Sequence, residues 1–549
     1  MLASIRGDAR DASAFLEGAA LVRTLGIDSD VDLGPLVDPS RPFDGDPYLL
    51  RRFQNMYEAG AWVLTESAIA DLPADLRWLF ESGAITIAQL AALYQALGVT
   101  SAADLGAAVS RAAIRSSPGL NEAIEAAVAA ALPTLRQAVP RIPLGRAVAL
   151  VYPILERLRA FPGIEWALPI GSLRRGQDSI GDLEIVAAAA NPAGAIEDLV
   201  DLPDTGRVLH RSERRLYLLF DRAQIGVRFP TPAGAGSTLL QLTGSVEHVT
   251  RLEHLAHQRH VDLFAPAATE EEVYARVGLP FIPPEIRNGD DEIARAIEGT
   301  LPALVSRADI RGDLHMHSSW SDGRDSIELM VTACRTLGYE YLAITDHSAR
   351  SAAARSLSIE GVRHQAEEIA GLRERYPDIS ILHGCEVDIM PDGRLDFADR
   401  ILEQFDLVLA SLHDHAGQPP DALERRYVSA MQHPLVTIIT HPTNRLVPHR
   451  RGYDLDYDRL IATAVATGTV VEIDGAPAHL DLDSALARRV IAAGATVAID
   501  SDSHRAELLG AQMDLGVTTA RRGWVEARHV LNARPLSELR ALIARKRAG

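Results

Sequence analysis

The sequence predicts a multidomain chain with a helical amino-terminal part, an α+β middle and a carboxyl-terminal parallel (β/α)7 barrel. Three observations carry that prediction. Residues 1–145 are rich in Ala, Leu and Arg with apolar residues at helical spacing. The stretch from Ile164 to Val186 reads as two short strands separated by a Gly- and Arg-rich turn. From Ile310 onward, seven short apolar runs alternate with helical stretches, the pattern of parallel strands joined by crossovers. At 549 residues the chain has room for several cores, at roughly 100–200 residues each. The expected segments are 1–145, 146–236, 237–300 and 308–549.

Composition narrows the function classes. No apolar run is long enough to span a bilayer, and the amino terminus mixes acids into what would be a signal peptide's basic region, so a cytoplasmic protein is expected. Two cysteines, Cys334 and Cys385, are too few for a disulfide framework. A formal net charge of −19 argues against loose, charge-driven nucleic-acid binding. Lys546 is the sole lysine. Arginine cannot form a Schiff base, so amine-dependent lyase chemistry is excluded everywhere but the extreme carboxyl terminus.

In the amino-terminal part, helices are expected over Asp11–Leu25, Leu49–Thr65, Leu76–Leu97 and Asn121–Val139. Ser82 to Ser101 has the outline of a helix-hairpin-helix, whose glycine-exposed amides would grip a DNA backbone. Ile85 stands where a second turn glycine would help, and a helical turn with no ligand is the alternative.

The carboxyl-terminal part carries the densest signal. His315, His317 and Asp322 fall within eight residues. In an extended strand, residues two apart share a face, so the two imidazoles can aim at one point, and the Ser-Asp-Gly turn can swing a carboxylate back. Taken alone, the pair could equally be two unrelated surface histidines. The strands expected at Ile310–His317, Tyr341–His347, Ile379–Glu386, Asp406–His413, Val436–His441, Val470–Asp474 and Thr496–Asp502 change that. Six of them finish beside a potential ligand: His315 and His317, His347, Glu386, His413, His441, then Asp502 and His504. The carboxyl ends of such strands carry a barrel's chemistry, and imidazoles with carboxylates suit zinc or manganese.

In the middle, Gly171-Ser172 with Arg174 and Arg175 can hold phosphates, and Asp182 and Glu184 alternate on one strand face, a carboxylate pair suited to magnesium. Together with Thr243-Gly-Ser245 and Gly278-Leu-Pro-Phe-Ile-Pro-Pro-Glu-Ile-Arg287, these motifs resemble the bacterial family X DNA polymerases, beta-like nucleotidyltransferases followed by a PHP (polymerase and histidinol phosphatase) domain. The resemblance implies a nucleotidyltransferase-like palm at 146–236, a thumb-like region and connector at 237–300, and a distorted seven-stranded PHP barrel at 308–549. It implies three metal ions: one on His315, His317, Glu386 and Asp502; a second on Glu386, His413 and His441; a third on Asp322, His347 and His504. His315, His317, Glu386, His441 and Asp502 would then serve catalysis. Asp346, Asp388, His415 and Asp474 are candidates to orient those ligands, with solvated loop residues as the alternative. Arg445 and Arg521 or Arg522 could clamp a phosphate.

The palm departs from the family pattern. Glu184 replaces an aspartate, Gly226 stands at the third carboxylate, and Val249 replaces an asparagine. Nucleotide addition is therefore expected to be weak or lost, with Ser172, Arg175, Asp182 and Glu184 left as a degenerate nucleotide and magnesium site. The expected function is DNA repair by a monomer that removes nucleotides or blocking phosphates from DNA 3′ ends. The alternatives are an active gap-filling polymerase using deoxynucleotides, a small-molecule phosphatase of the histidinol-phosphate kind, and a non-enzymatic DNA-binding scaffold.

Overall fold

The computed structural model describes residues 83–548 apart from 98, 100–101, 136–140, 202–204, 221–222, 352–355, 414–416 and 448–449, with scattered residues before 83. The helices expected over Asp11–Leu25 and Leu49–Thr65 fall largely outside the described residues. Two compact units divide the chain: residues 1–141, 153–166 and 183–229 form one, and residues 142–152, 167–182 and 230–549 the other.

The first unit opens with helices Ile87–Leu97, Ala102–Ser110 and Glu122–Leu135. The hairpin's second helix has a capping box: the Thr86 amide donates to Gln89 Oε1 at 2.7 Å and the Gln89 amide donates to Thr86 Oγ1 at 3.4 Å. Leu90, Leu93 and Val128, at the helical spacing read from the sequence, form its buried core with Leu105 and Ile114. A mixed sheet follows, from β1 (Ile164–Pro169), β2 (Leu183–Ala189), β3 (Thr205–Arg211), β4 (Arg215–Phe220) and β5 (Ala223–Arg228), in the order β1-β2-β5-β4-β3. β2 runs parallel to β5 with Glu184 opposite Gly226, and β4 runs antiparallel to β5 with Tyr217 opposite the same glycine.

The second unit contains the barrel. Its strands are β6 (Gly312–Asp313), β7 (Tyr341–Ile344), β8 (Ser380–Asp388), β9 (Leu407–Ser411), β10 (Ile438–Ile439), β11 (Val470–Asp474) and β12 (Val497–Asp500), parallel and adjacent in sequence order. Several are shorter than expected, because the ligand-bearing residues turn away just past the ladder. Between β6 and β12 the seam is nearly closed by side chains and one bridge. Asp500 accepts the Leu314 amide at 2.8 Å, Asp313 accepts the Ser501 amide at 3.2 Å, and Met316 pairs with Ser503.

Strand periodicity sorts the barrel's two faces. Val471 and Ile473 of β11 join the large outer core against the helices. Val470 joins an inner layer with Leu314, Tyr341, Leu382, Leu409 and Ala498, plugged from below by Leu539, Leu542 and Ile543 of the closing helix Leu536–Ala548. The same inward face therefore passes, further up the strands, from these residues to Glu386, Glu472 and Asp500. Ahead of the barrel, the helix Glu292–Glu298 ends where Gly299 takes a left-handed conformation.

Candidate metal centre

Glu386, fully buried on β8, is the hub of the strand-end cluster. Its Oε2 lies 2.9 Å from His347 Nδ1, 3.4 Å from His315 Nε2 and 3.6 Å from His317 Nε2, and its Oε1 lies 2.9 Å from His441 Nε2 and 3.2 Å from His413 Nε2. Asp502 Oδ1 sits 3.0 Å from His317 Nε2. Asp322 faces His504 at 3.3 Å and His347 at 3.5 Å. All nine side chains singled out in the sequence thus converge. Three groups have donor atoms within 4.8 Å of one another: His315, His317 and Asp502; His347, Glu386 and His413; and His317, Asp322, His347 and His504. His317 and His347 each fall in two groups, so the three groups keep part of each ion's expected ligand set but share these two histidines between them.

The donor set fits divalent cations on this geometry. An ion about 2.0–2.1 Å from each ligand sets neighbouring donors about 2.9 Å apart at a right angle and about 3.3 Å apart at a tetrahedral corner; the contacts of Glu386 to His347, His441 and His413, at 2.9, 2.9 and 3.2 Å, fall in that range, and those to His315 and His317, at 3.4 and 3.6 Å, lie just beyond it. The Nε2 atoms of His315 and His317 stand 3.2 Å apart, and a cation between them satisfies both lone pairs. Buried His317 Nδ1, His347 Nδ1, His441 Nδ1 and Glu386 Oε2 also have no hydrogen-bond partner among the described residues.

Burial would push the Glu386 carboxyl up, but His347, His413 and His315 hold it well below the usual range. Burial and the neighbouring His347 push the His317 imidazole down to about 3, which keeps it a neutral donor. The cluster opens on the side of Asp322 and His504, whose side chains are 25 % and 36 % exposed.

Several ligands are held by partners. His315 Nδ1 lies 2.6 Å from Glu472 Oε1, while Glu472 Oε2 accepts the His441 amide at 2.7 Å. Asp388 lies 3.0 Å from His413 Nδ1, and His504 Nδ1 faces the Asp502 carbonyl at 3.0 Å. The contacts to His315, His413 and His504 each take one ring nitrogen and leave the other to face the cluster. Glu472 was missed in the sequence, although its place two residues before Asp474 on an alternating strand was a usable signal. His479, whose ring stacks on His441 with centroids 5.7 Å apart, gave no such signal. Asp346 braces the loop through Ser318 and Gln365 without touching an imidazole, and Asp474 accepts the Ala476 amide instead. His415 lies outside the described residues. His441 and Asp502 hold positive φ angles of 26° and 48°, strained backbone of the kind that clusters at functional sites.

The arginines offered as phosphate clamps are engaged elsewhere. Arg445 pairs with Asp178 at 2.7 Å and caps the Leu480 carbonyl; Arg522 also pairs with Asp178; Arg521 binds Glu285 at 2.7 Å. A carboxylate competes with phosphate for the same guanidinium fork, so none of the three is free as expected.

The PHP domain family matches residues 313–450. Over 495 residues the chain is 34% identical to the DNA polymerase/3′-5′ exonuclease PolX of Bacillus subtilis, covering 87% of this chain and 86% of that one. The chain belongs to the bacterial family X DNA polymerases that carry a carboxyl-terminal PHP domain. It is also 34% identical over 168 residues to a protein of Syntrophotalea carbinolica named "Probable phosphatase", 30% of this chain and 64% of that one. Among solved structures, histidinol phosphate phosphatase of Lactococcus lactis, complexed with zinc, L-histidinol and phosphate, aligns over 39% of this chain and 93% of its own, with 18% identity and a TM-score of 0.31.

In this family X chain the palm residues are tied up internally. Glu184 accepts from Tyr217 Oη at 2.6 Å and from Arg228 Nε and Nη2 at 2.9 and 2.8 Å. A Cβ on Gly226 would stand 2.7 Å from the Tyr217 ring and 3.1 Å from Glu184 Cγ, so a carboxylate there would displace the tyrosine. Arg175 donates to the Thr243 carbonyl at 2.6 Å, and Arg174 grips Glu270, which also pairs with buried Arg287. Ser172 lies on the short helix Gly171–Arg174, and its carbonyl accepts the Gln177 amide at 2.9 Å.

Proposed function

We propose that this family X chain hydrolyses phosphoesters at DNA 3′ ends, as a 3′-5′ exonuclease, through divalent ions held in the barrel by His315, His317, Asp322, His347, Glu386, His413, His441, Asp502 and His504. The single observation that carries this reading is the convergence of five imidazoles on the Glu386 carboxylate. Bound zinc or manganese, three ions in this reading, would supply the Lewis-acid charge that activates water and stabilises the departing oxygen. The chain's own residues do the rest. Glu472 and Asp388 fix the rings of His315 and His413, the buried wall of the barrel excludes bulk water, and the side of Asp322 and His504 admits a strand end. Residues 1–145 and 146–236 deliver DNA, and the protein acts in the cytoplasm as a monomer.

In the same reading, nucleotide addition at the palm is weak or absent. Support comes from Arg228, whose guanidinium satisfies the Glu184 carboxylate that would otherwise face magnesium, and from Gly226, which offers no third carboxylate. Asp182 alone is a poor magnesium site. A second reading, hydrolysis of small phosphate monoesters, is favoured by the relative named "Probable phosphatase", which matches over 168 residues.

The test is a 5′-labelled primed and gapped duplex incubated with manganese, with and without deoxynucleotides, using wild type, His317→Ala and Asp182→Ala. Shortening that disappears only in His317→Ala is expected. Lengthening that disappears in Asp182→Ala would overturn the inactive palm, and hydrolysis of histidinol phosphate without shortening would favour the second reading.

A further inference from the structure

The amino ends of the barrel strands, opposite the ligand-bearing ends, hold a second feature. The segments entering β10, β11 and β12, among them Gln432, Thr469 and Thr496, line a cavity of about 500 Å³ together with the closing helix. Among the described residues its charged lining is Arg534, Arg545 and Lys546, with no carboxylate. Two helices end on this wall, and their terminal carbonyls would bring partial negative charge. Those carbonyls are largely taken: the Thr469 amide donates to Ala464 O at 3.1 Å, and the Ala495 amide to Val490 O at 3.2 Å. Gly468 and Gly494, both left-handed, have nothing within 4 Å of a built Cβ, so the space beside them is open.

Lys546 is one of the residues that line this cavity. In a chain that otherwise uses arginine it is the sole lysine, and it is buried. Its Nζ donates to the Met431 carbonyl at 2.5 Å and to Thr469 Oγ1 at 2.8 Å, which leaves one of three N–H groups for a ligand. Burial lowers the ammonium to about 8, so it is charged at neutral pH. On the wall, Val465 is 45% exposed and offers an apolar surface.

We infer that this cavity is a second binding site, distinct from the metal centre, for a small phosphate-bearing anion of about nucleoside-monophosphate size. The size suits it, since small-ligand pockets run from roughly 300 to 1,000 Å³. Three cations and no acid suit a dianion, arginine forks being matched to phosphate oxygens. The apolar wall at Val465 suits a base or sugar beside the phosphate. The inference is independent of the reaction run at the other end of the barrel.

The test is equilibrium dialysis of the full-length protein against labelled inorganic phosphate and labelled adenosine 5′-monophosphate, comparing wild type with Arg545→Ala and Val465→Trp. Both changes fall at exposed positions, and thermal melting checks that each variant folds. For at least one ligand, binding to one site per chain should weaken about fivefold or more in Arg545→Ala and be blocked in Val465→Trp, with any binding at the metal centre retained. Loss for both ligands means that the phosphate is what the site reads; loss for the nucleotide alone means that the wall contributes. Wild-type binding of both ligands in both variants would overturn the inference.

Discussion

His315 Nδ1 and Glu472 Oε1 lie 2.6 Å apart in the fully buried wall of the barrel, and the other Glu472 oxygen accepts the His441 amide at 2.7 Å. One carboxylate thus fixes a ring on the strand-end loop after β6 and the backbone of a second histidine after β10. Burial would lower the His315 pKa, but Glu472, Asp502 and Glu386 raise it well above the ordinary value, and the Glu472 contact holds Nδ1 so that Nε2 faces the cluster.

Glu472→Gln should therefore weaken metal binding by about 10–100-fold, the usual cost of losing a partner to a ligating histidine. Hydrolysis should recover at saturating manganese, because Glu472 touches no substrate. A metal titration of the rate checks this; a loss that no manganese concentration restores would count against a positioning role.

Metal removal should lower the melting temperature. Ions that bind only the folded barrel stabilise it by mass action, about 2.7 kcal/mol at a hundredfold excess over Kd. Scanning calorimetry with chelator, then with zinc or manganese added back, should show an upward shift that His317→Ala abolishes.

Asp178 carries a pH prediction. Burial would raise its pKa, and Arg522 and Arg445 reverse this, so the group lies below its ordinary value. A depressed carboxylate contributes stability above its unfolded pKa of about 3.9 and loses it as pH falls through the folded value. Asp178→Asn should cost about 1–3 kcal/mol near neutrality, discounted from the figure for a fully buried pair because the side chain is partly exposed. The gap between the two melting curves should hold from pH 8 to about 5 and close below about pH 4.

In the palm, Arg228→Ala leaves Glu184 with Tyr217 as its remaining described partner. It should destabilise the protein by about 1–3 kcal/mol and should not raise gap filling, because Gly226 still supplies no carboxylate. Burial and Glu184 push the Tyr217 hydroxyl up to about 12, so it stays a donor throughout the assay range. Primer extension by the variant above the wild-type level would show that Arg228 alone silences the site.

The sequence by itself determined the order of elements and the nine strand-end side chains, because both rest on local periodicity: parallel strands repeat apolar runs, and a turn just beyond each run must carry the polar residues. Which side chains pair with which was decided only by tertiary structure, since those partners lie far apart in the chain and meet when the barrel closes. Glu472 finds His315 157 residues away, and Asp178 takes both Arg445 and Arg522, 267 and 344 residues away, from the phosphate role the sequence suggested. Lys546 was visible as a singular residue, yet only the fold of the closing helix under the barrel put its ammonium against Met431 and Thr469 in a cavity. Charge and spacing are local properties of a chain, whereas burial and partner choice are settled by the packing that excludes water.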